Sequence, residues 1–282
     1  MPDSIRTLLE SATAMLAGVS DSARLDAEVL LAHTLACPRS RLRARPEEIP
    51  GTAARQTFMA LVARRQAGEP VAYLTGIREF WSLPLAVSHD TLIPRPETER
   101  LVELALECLP SGRNGTVLEL GTGTGAIALA LASERPDCRI IATDVSPAAL
   151  AVARANVVRL GVRNVSLLAG DWFEPFGDVR FDLIVSNPPY VADGDPHLTQ
   201  GDVQHEPRLA LAAGPDGLVA LRRIVRGAPR HLVAGGVLLV EHGATQGGAV
   251  HALFQEAGFV KVATARDLAG YERVTGGSLP RP

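Results

Sequence analysis

The chain has 282 residues, enough for one large domain or for a medium and a small one. Its 28 basic and 31 acidic side chains leave a formal net charge of −3, and nothing in this balance suggests a basic tail that binds polyanions.

The three cysteines, Cys37, Cys108 and Cys138, lie far apart and form no C-x-x-C pair. We therefore expect neither a metal site nor a disulfide framework. The start of the chain is polar, and no apolar run is long enough to cross a bilayer. These features predict a cytoplasmic protein that does not enter membranes.

An N-terminal helical domain is predicted for residues 1–75. Ser4, Ser22 and Thr52 each precede an apolar helical pattern and are expected to cap three helices. The expected buried stripes are Ile5, Leu8, Leu9, Ala12, Met15 and Leu16 in the first helix, Leu25, Val29, Ala32 and Ala36 in the second, and Phe58, Leu61 and Val62 in the third.

A basic cluster follows the second predicted helix. It contains Arg39, Arg41, Arg43 and Arg45. One interpretation is a solvated face, and the other is a docking patch for a nucleic-acid-associated partner.

Residues 76–95 are rich in proline and aromatic residues and are predicted to form a linker. We expect a β-hairpin within it, from about Ile77 to Val87, because prolines confine strands to sheet edges. Pro96 is suited to be the first residue of the next helix, which opens a larger domain at residues 96–282.

The larger domain begins with short apolar runs that alternate with helical patterns. This alternation predicts a parallel sheet, in which ligands bind beyond the carboxyl ends of the strands. The runs cover Thr116–Leu120, Ile140–Thr143, Val165–Ala169 and Phe181–Ser186. A long loop (191–217), a helix (218–231), a strand (237–240), a helix (249–257) and two strands (259–263 and 272–275) are expected to follow.

The first run ends in a glycine loop. Gly121 and Gly123 with Ala126 formally satisfy the dinucleotide fingerprint, and Asp144, about 20 residues on, could hold ribose hydroxyls. Glu119 lies just before the loop, where a carboxylate would repel a pyrophosphate but suits an amino group or a sulfonium cation. S-adenosylmethionine carries both groups.

Asp171 and Trp172 end the third run. An acid that accepts from an exocyclic amine, beside a flat aromatic ring, would recognise adenine. The alternative is that Trp172 is a plain core residue.

The sequence Asn187-Pro188-Pro189-Tyr190 ends the fourth run. Its two prolines have no N–H donors, so this segment offers carbonyl oxygens that can only accept, and Asn187 adds a side-chain carbonyl. Such acceptors suit a planar –NH2 group and turn its nitrogen lone pair toward a donor methyl. The Tyr190 ring could then pack on the π-system of the substrate.

These motifs resemble those of class I S-adenosylmethionine-dependent methyltransferases that act on planar amino or amide nitrogens. N-P-P-Y also occurs in DNA adenine-N6 methyltransferases, so by itself it does not choose the substrate. More specific are the stretches GIREFWSLPLAVS, TLIPRPETE, LELGTGTGAIALALASERPDCRI, DWF, IVSNPPYV and DPHLTQGDVQHEPRLAL. They resemble the PrmC/HemK family of protein-(glutamine-N5) methyltransferases across the linker and nearly the whole larger domain.

The resemblance implies a fold and an activity. The fold is a Rossmann-like α/β methyltransferase domain, with a seven-stranded mixed sheet flanked by helices, preceded by a small helical bundle that docks the substrate. The activity is methyl transfer from S-adenosylmethionine to the side-chain amide N5 of the glutamine in the Gly-Gly-Gln motif of class 1 peptide-chain release factors. S-adenosylhomocysteine is the second product, and we expect a monomer that binds no nucleic acid.

Site residues follow from the motifs and the resemblance together. The expected catalytic residues are Asn187, Pro188 and Tyr190. The expected cofactor-binding residues are Glu119, Gly121, Thr122, Gly123, Thr124, Gly125, Asp144, Asp171, Trp172 and Asn187. The expected substrate-binding residues are Asn187, Pro188, Pro189 and Tyr190, with Arg95 and Glu97 as gate residues.

Three alternatives stay open on the residues alone. A nucleic-acid amino-group methyltransferase could use the same N-P-P-Y site but would want a basic groove. An NAD oxidoreductase fits the glycine loop but leaves N-P-P-Y without a purpose. A non-catalytic cofactor-binding scaffold would be expected to have lost the N-P-P-Y acceptors.

Overall fold

The computed structural model describes residues 3–112 and 114–281. Positions 1, 2, 113 and 282 of the predicted domains lie outside the described residues. The described residues divide into two compact units. The first contains the residues up to Ile77 together with Thr199–His205, and the second contains Arg78–Leu198 and the residues from Glu206 onward.

The first unit is helical, as predicted. Its helices are α1 (Ile5–Leu16), α2 (Ala23–Thr34), α3 (Arg39–Ala44), α4 (Thr52–Gln66) and α5 (Val71–Thr75). Ser4 caps α1 by accepting a hydrogen bond from Thr7 N at 3.4 Å. The predicted stripe of α1 is buried apart from Met15, which is half-buried.

The two other expected caps are different. Ser22 precedes α2, but its hydroxyl donates to Asp26 Oδ1 at 3.0 Å and does not accept from a backbone N–H. Gly51 occupies the N-cap position of α4, and Thr52 is the first helical residue.

The predicted stripe of α2 is wrong at its two ends, whereas Ala32 within it is buried and Val29 is half-buried. Leu25 is 43% exposed, and Ala36 lies beyond the end of the helix. The apolar residues that α2 buries are Ala27, Leu30, Leu31 and Ala32. Asp26 and Glu28 are buried as well, because arginines on other helices neutralise them. Since charged residues interrupt the apolar pattern of α2, its buried face could not be identified from the sequence.

The basic cluster lies on and just after α3 and is ion-paired. Arg39 and Arg43 both reach Glu28, at 3.0 and 3.2 Å, and Arg41 reaches Glu48 at 2.9 Å. These arginine side chains are nevertheless 42 to 69% exposed, which agrees with a solvated face. A docking role for the cluster stays a prediction.

The expected hairpin is formed by β1 (Ile77–Phe80) and β2 (Leu83–Ala86), and all of it except Ile77 belongs to the second unit. Pro96 begins a single 3₁₀ turn, Pro96–Thr98, and not the α-helix itself. Helix α6 (Glu99–Cys108) follows directly.

The sheet confirms the seven-stranded mixed architecture within the described part of the chain. Its strands are β3 (Thr116–Leu120), β4 (Arg139–Asp144), β5 (Val165–Ala169), β6 (Phe181–Ser186), β7 (Leu232–Glu241), β8 (Val260–Arg266) and β9 (Glu272–Ser278). They are ordered β5-β4-β3-β6-β7-β9-β8. The first five strands in this order (β5, β4, β3, β6 and β7) run parallel to one another, and β9 is antiparallel to both of its neighbours.

Helices cover both faces of this sheet. They are α6, α7 (Ala126–Glu134), α8 (Pro147–Leu160), α9 (Val219–Gly227) and α10 (Gly247–Glu256). Successive strand residues point to opposite faces, so Val117 packs in one apolar cluster with α6 and α7, whereas Leu118 packs in another with α9 and α10. The predicted helix at 218–231 ends at Gly227 and continues as a 3₁₀ turn that contains Pro229.

The centre of the sheet is where the strand order reverses. From β3 the chain continues to β4 on one side and returns later to β6 on the other. Leu120 at the end of β3 is in register with Ser186 at the end of β6. The glycine loop and the N-P-P-Y segment therefore emerge side by side at the position where open α/β sheets bind ligands. No helix in the described ranges is both long and apolar enough to cross a membrane.

Candidate active site

A cavity of about 410 Å³ lies at this carboxyl edge, within the second unit. Most of the predicted site residues line it: Arg95, Glu119, Gly121, Thr122, Gly123, Thr124, Asp144, Asp171, Trp172, Asn187 and Pro189. Four predicted residues do not line it: Glu97, Gly125, Pro188 and Tyr190.

Gly121 and Gly123 of the glycine loop bring backbone without side chains to the cavity wall. Gly121 has φ +74°, and a Cβ there would come within 3.8 Å of the Trp172 ring. Gly125, with φ +83°, faces away from the cavity, and a Cβ there would approach Leu129 Cδ1 to 3.2 Å. Gly125 thus allows α7 to pack closely, and its cofactor contact stays a prediction.

Glu119 is a buried carboxylate at the cavity wall, with only 1% of its surface exposed. Its Oε2 accepts from Thr122 Oγ1 at 2.6 Å and from Ala128 N at 3.2 Å. Its Oε1 has no hydrogen-bond partner among the described residues. Burial raises the pKa of Glu119 to about 8, although the two hydrogen bonds act in the opposite direction. A buried carboxylate oxygen without a partner suits a cationic ligand group.

Asp144 is the last residue of β4, and its carboxylate accepts hydrogen bonds from the loop after β3 and from the loop after β4. Its Oδ2 accepts from Gly123 N at 2.8 Å, and its Oδ1 accepts from Ser146 N at 2.9 Å. Ser146, and not Asp144, caps α8 by accepting from Ala149 N at 3.2 Å. Asp144 is half-buried and lines the cavity, and each oxygen can still accept from a ribose hydroxyl.

Asp171 and Trp172 lie together at the end of β5. Trp172 adopts φ +53°, packs partly against the core and lines the cavity, so it is not a plain core residue. Asp171 Oδ2 accepts from Arg223 Nη1 at 2.7 Å. Arg223, on α9, also lines the cavity and was not expected from the sequence.

Asn187 presents an acceptor to the cavity. Its Nδ2 donates to Thr98 Oγ1 at 3.1 Å, and no residue in the described ranges donates to its Oδ1. The carbonyl oxygen of Pro188 likewise accepts no hydrogen bond from any described group. Of the expected acceptors, Asn187 lines the cavity, whereas Pro188 is buried and does not, so a contact between the Pro188 carbonyl and a substrate stays a prediction.

Tyr190 lies behind the wall and not on it. Its hydroxyl donates to Glu241 Oε1 at 3.2 Å, and its carbonyl accepts from Gln246 Nε2 at 2.9 Å. Burial, reinforced by the nearby Glu241 charge, raises the pKa of Tyr190. The ring packs against the core cluster below α9 and α10, and its packing on a substrate stays a prediction.

The two expected gate residues differ from each other. Arg95 lines the cavity and forms an ion pair with Glu206, a fully buried carboxylate that also accepts from Ile93 N at 3.0 Å. Glu97 is exposed and does not line the cavity, so a role for it in substrate binding stays a prediction.

Comparisons with known proteins identify the family. Residues 7–76 match the PrmC N-terminal domain, and residues 97–206 match the methyltransferase small domain. A release factor glutamine methyltransferase from Vibrio cholerae is 50% identical over 277 residues, which cover 98% of this chain and 96% of that protein. The chain belongs to the release factor glutamine methyltransferase family.

Other relatives agree with this assignment. The release factor glutamine methyltransferase of Escherichia coli K12 is 51% identical over 256 residues, covering 91% of this chain and 92% of that protein. A methyltransferase structure from Pyrococcus furiosus superposes with a TM-score of 0.54 at 18% identity, over 79% of this chain and 98% of that chain. That likeness shows the shared fold.

Three polar residues that contact predicted site residues of this family member were missed in the sequence: Thr98 at Asn187, Glu241 at Tyr190 and Glu206 at Arg95. Glu241 did carry a signal, because it is the last residue of β7 and an acid at a carboxyl strand end is what marked the other site residues. Glu206 lies in a quoted stretch but had no assigned role. Thr98 also lies in a quoted stretch, TLIPRPETE, but had no assigned role, since only the folded chain brings its hydroxyl to Asn187.

Proposed function

We propose that this protein transfers the methyl group of S-adenosylmethionine to the side-chain amide N5 of the glutamine in the Gly-Gly-Gln motif of class 1 release factors. The observation that carries this proposal is the acceptor at Asn187, which lines the same cavity as the unpartnered Glu119 carboxylate. A primary amide needs acceptors for its two N–H bonds, and the cofactor needs a partner for its positive charge. Identity near 50% to release factor glutamine methyltransferases over most of the chain supports this choice of substrate.

S-adenosylmethionine fits the residues around the cavity. We assign its ammonium group to Glu119, its ribose hydroxyls to Asp144 and its adenine to Trp172 and Asp171. The glycine loop would lie along the ligand without obstructing it. When bound, the cofactor supplies a methyl group made electrophilic by its sulfonium.

Asn187 would orient the substrate from the cavity wall, and we assign the second amide N–H to the carbonyl of Pro188, a buried residue next to Asn187 that does not itself line the cavity. An amide nitrogen is a poor nucleophile because its lone pair is delocalised into the carbonyl. Acceptors that hold both amide N–H bonds direct the lone pair toward the methyl, and such positioning can supply on the order of 7–11 kcal/mol. As methylation proceeds the amide nitrogen becomes positive, and the fixed acceptor dipoles stabilise that charge.

No strong base is needed at this rim. The Asn187 side chain does not accept a proton at ordinary pH, so the proton of the methylated amide would leave to water after transfer. Arg95, held by Glu206, would close one side of the substrate entrance. We assign release-factor docking to residues 1–75 and the methyltransferase chemistry to residues 96–282, with residues 76–95 as the linker.

A labelling experiment tests the proposed function. The protein is incubated with methyl-labelled S-adenosylmethionine and, separately, a class 1 release factor, the same factor with its Gly-Gly-Gln glutamine changed to alanine, or duplex DNA. Label on the unmodified factor alone is the expected result. Equal label on both factors would remove the glutamine as target, and label on DNA would favour the nucleic-acid alternative.

A further inference from the structure

Arg223 is a cation at the cavity wall that has no part in the proposed function. It lies on α9, and its guanidinium donates to Asp171 Oδ2 at 2.7 Å and to Glu174 Oε1 at 3.3 Å. Both carboxylates belong to the short segment after β5 that also carries Trp172. Arg223, Asp171 and Trp172 all line the cavity, whereas Glu174 does not. The arginine therefore lies at the end of the cavity that we assign to adenine.

Packing holds α9 against this segment. A Cβ at Gly227 would come within 2.7 Å of the Phe173 ring, so glycine permits an approach that a side chain would obstruct. Phe173 in turn stacks on His231, in the 3₁₀ turn after α9, with the ring centroids 4.7 Å apart. The position of Arg223 beside Asp171 is therefore set by these packing contacts and not by the ion pair alone.

Asp171 and Glu119 are carboxyl groups of the same cavity with different surroundings. Glu119 Oε1 has no partner among the described residues, so it suits a cationic group. Asp171 Oδ2 is occupied by Arg223, which balances its charge, whereas its Oδ1 accepts no hydrogen bond from a described side chain or backbone group. A charge-balanced carboxylate gains less from a cation but can still accept from a neutral N–H group. The exocyclic amine of adenine is such a group.

We propose that Arg223 is a positioning residue that balances the charge of Asp171 and holds its carboxylate so that Oδ1 faces the exocyclic amine of adenine. This inference rests on the proposed function, because it explains how the cavity orients S-adenosylmethionine, with the ammonium group at Glu119 and the adenine at Asp171. Without Arg223, the Asp171 side chain, which is 36% exposed, would be free to turn toward water. The cavity would then lose much of its preference for an amino group on the base.

The test compares two ligands by titration calorimetry on the full-length protein. S-adenosylhomocysteine carries the amino group, whereas S-inosylhomocysteine carries a carbonyl oxygen in its place, which would set one acceptor against another at Asp171. The wild type is expected to bind S-adenosylhomocysteine about thirtyfold more tightly than S-inosylhomocysteine. Arg223→Met keeps the length of the side chain but removes its charge and its donors. It should reduce this preference to about fivefold, mainly by weakening the binding of S-adenosylhomocysteine.

A double-mutant cycle tests whether Arg223 acts through Asp171. In Asp171→Asn the amide can turn either its oxygen or its NH2 group toward the base, so the preference should nearly disappear. Adding Arg223→Met to Asp171→Asn should then change neither affinity further, because the group that Arg223 positions is already lost. Arg223→Lys keeps the charge and should retain part of the preference.

Arg222→Met is the matched control. Arg222 is the preceding residue of α9, donates to Asp216 Oδ1 at 3.1 Å and does not line the cavity. Its replacement should leave both affinities unchanged. The Arg222 and Arg223 variants should also keep the Tm of the wild type, because exposed ion pairs contribute little to stability.

Three results would overturn the role of Arg223: a wild type without preference between the two ligands, equal weakening of both ligands by Arg223→Met, or the same loss from Arg223→Met in the Asp171→Asn background as in the wild type. The proposed function is tested separately, by labelling of the release factor. A wild type that shows the expected preference and the expected cycle but does not methylate the release factor would end the proposed function and leave the role of Arg223 in place.

Discussion

At the scale of single residues, the proposed assignment of the cofactor ammonium group to Glu119 has a consequence for the pH dependence of binding. Its neutral form cannot pair with the ammonium group of the cofactor, and burial raises its pKa to about 8. Below that pH most Glu119 side chains are protonated, so binding of the ammonium group must be accompanied by loss of the Glu119 proton. Under this assignment, the Glu119 carboxylate would link cofactor affinity to pH.

We predict that S-adenosylmethionine binds more tightly as pH rises from about 6 to about 7.5, by up to about tenfold per unit. Above that range the cofactor amino group begins to lose its own proton, and the gain should level off. Titration calorimetry across this range measures the effect.

The Glu119→Gln variant should bind S-adenosylmethionine at least about tenfold more weakly at pH 7.5. It should also lose this pH dependence, because the glutamine amide does not ionise in this range. Glu103→Gln, on the exposed face of α6, is the matched control. A wild-type affinity that is flat across this range would contradict the assignment of Glu119 to the ammonium group.

At the scale of elements, the segment before Pro96 and the long loop before α9 are held together by Glu206. This carboxylate accepts from Ile93 N and pairs with Arg95, and its side chain is fully buried. The loop thereby contributes to the cavity wall through its own residues, among them Leu209 and Ala212. Glu206 therefore adds a side-chain tie to the backbone hydrogen bonds that already hold this loop, such as Val191 N to Leu211 O at 2.9 Å.

We predict that Glu206→Ala lowers the free energy of unfolding by about 1–3 kcal/mol, because it leaves the Ile93 N–H and the Arg95 guanidinium without their partner. Cleavage by protease within residues 191–217 should become faster, and kcat/KM for release factor should fall by about tenfold. Asp193→Ala, in the same loop but exposed, is the control. Unchanged protease sensitivity in Glu206→Ala would show that the loop is held by other contacts.

At the scale of elements, the strands and their shared edge could be predicted from the sequence, whereas finer features could not. Apolar runs that end in Gly121, Asp144, Trp172 and Asn187 were sufficient to infer the parallel sheet and the edge at which these residues meet. Strand register and side-chain direction were not accessible from local patterns. Tyr190 therefore points behind the wall, toward Glu241, a residue 51 positions away in the chain.

Long-range polar contacts explain the other misses. Asn156 on α8 is completely buried and bonds to Ala86 N at 2.7 Å and to Thr124 O at 2.9 Å, which ties the hairpin to the glycine loop. Nothing in its neighbourhood in the sequence marks it. On α2, Leu25 is exposed because the helix buries paired acids, a pattern that apolar periodicity cannot reveal.

At the scale of the whole molecule, the second unit buries two carboxylates whose pKa values are raised from 4.5, to about 8 for Glu119 and about 7 for Glu241. In the unfolded chain both would ionise near 4.5, whereas the folded protein keeps their protons to higher pH. Between these values the folded state binds more protons than the unfolded state. The contribution of these two carboxyl groups to the free energy of unfolding therefore falls as pH rises.

We predict that the free energy of unfolding, measured by urea titration without added cofactor, falls from about pH 6.5 to about pH 8, at no more than about 1.4 kcal/mol per unit for each carboxyl. The range starts at about pH 6.5 because burial lowers the pKa of His242. Below about pH 6.5 the unfolded chain protonates this histidine more readily than the folded protein does, so stability there would rise with pH. Glu119→Gln combined with Glu241→Gln should flatten the curve. An equally steep fall in that double variant would assign the dependence to other groups.

The central claim is that an acceptor at Asn187 orients the glutamine amide for methyl transfer, and single-turnover kinetics with release factor test it most directly. Asn187→Ala should slow transfer by about 10²-fold or more, the size of effect expected when positioning is lost, while the affinity for S-adenosylmethionine changes by less than about threefold. Asn164→Ala, the same substitution at the start of β5 and away from the cavity, should transfer methyl at the wild-type rate. Transfer by Asn187→Ala at the wild-type rate would contradict the account.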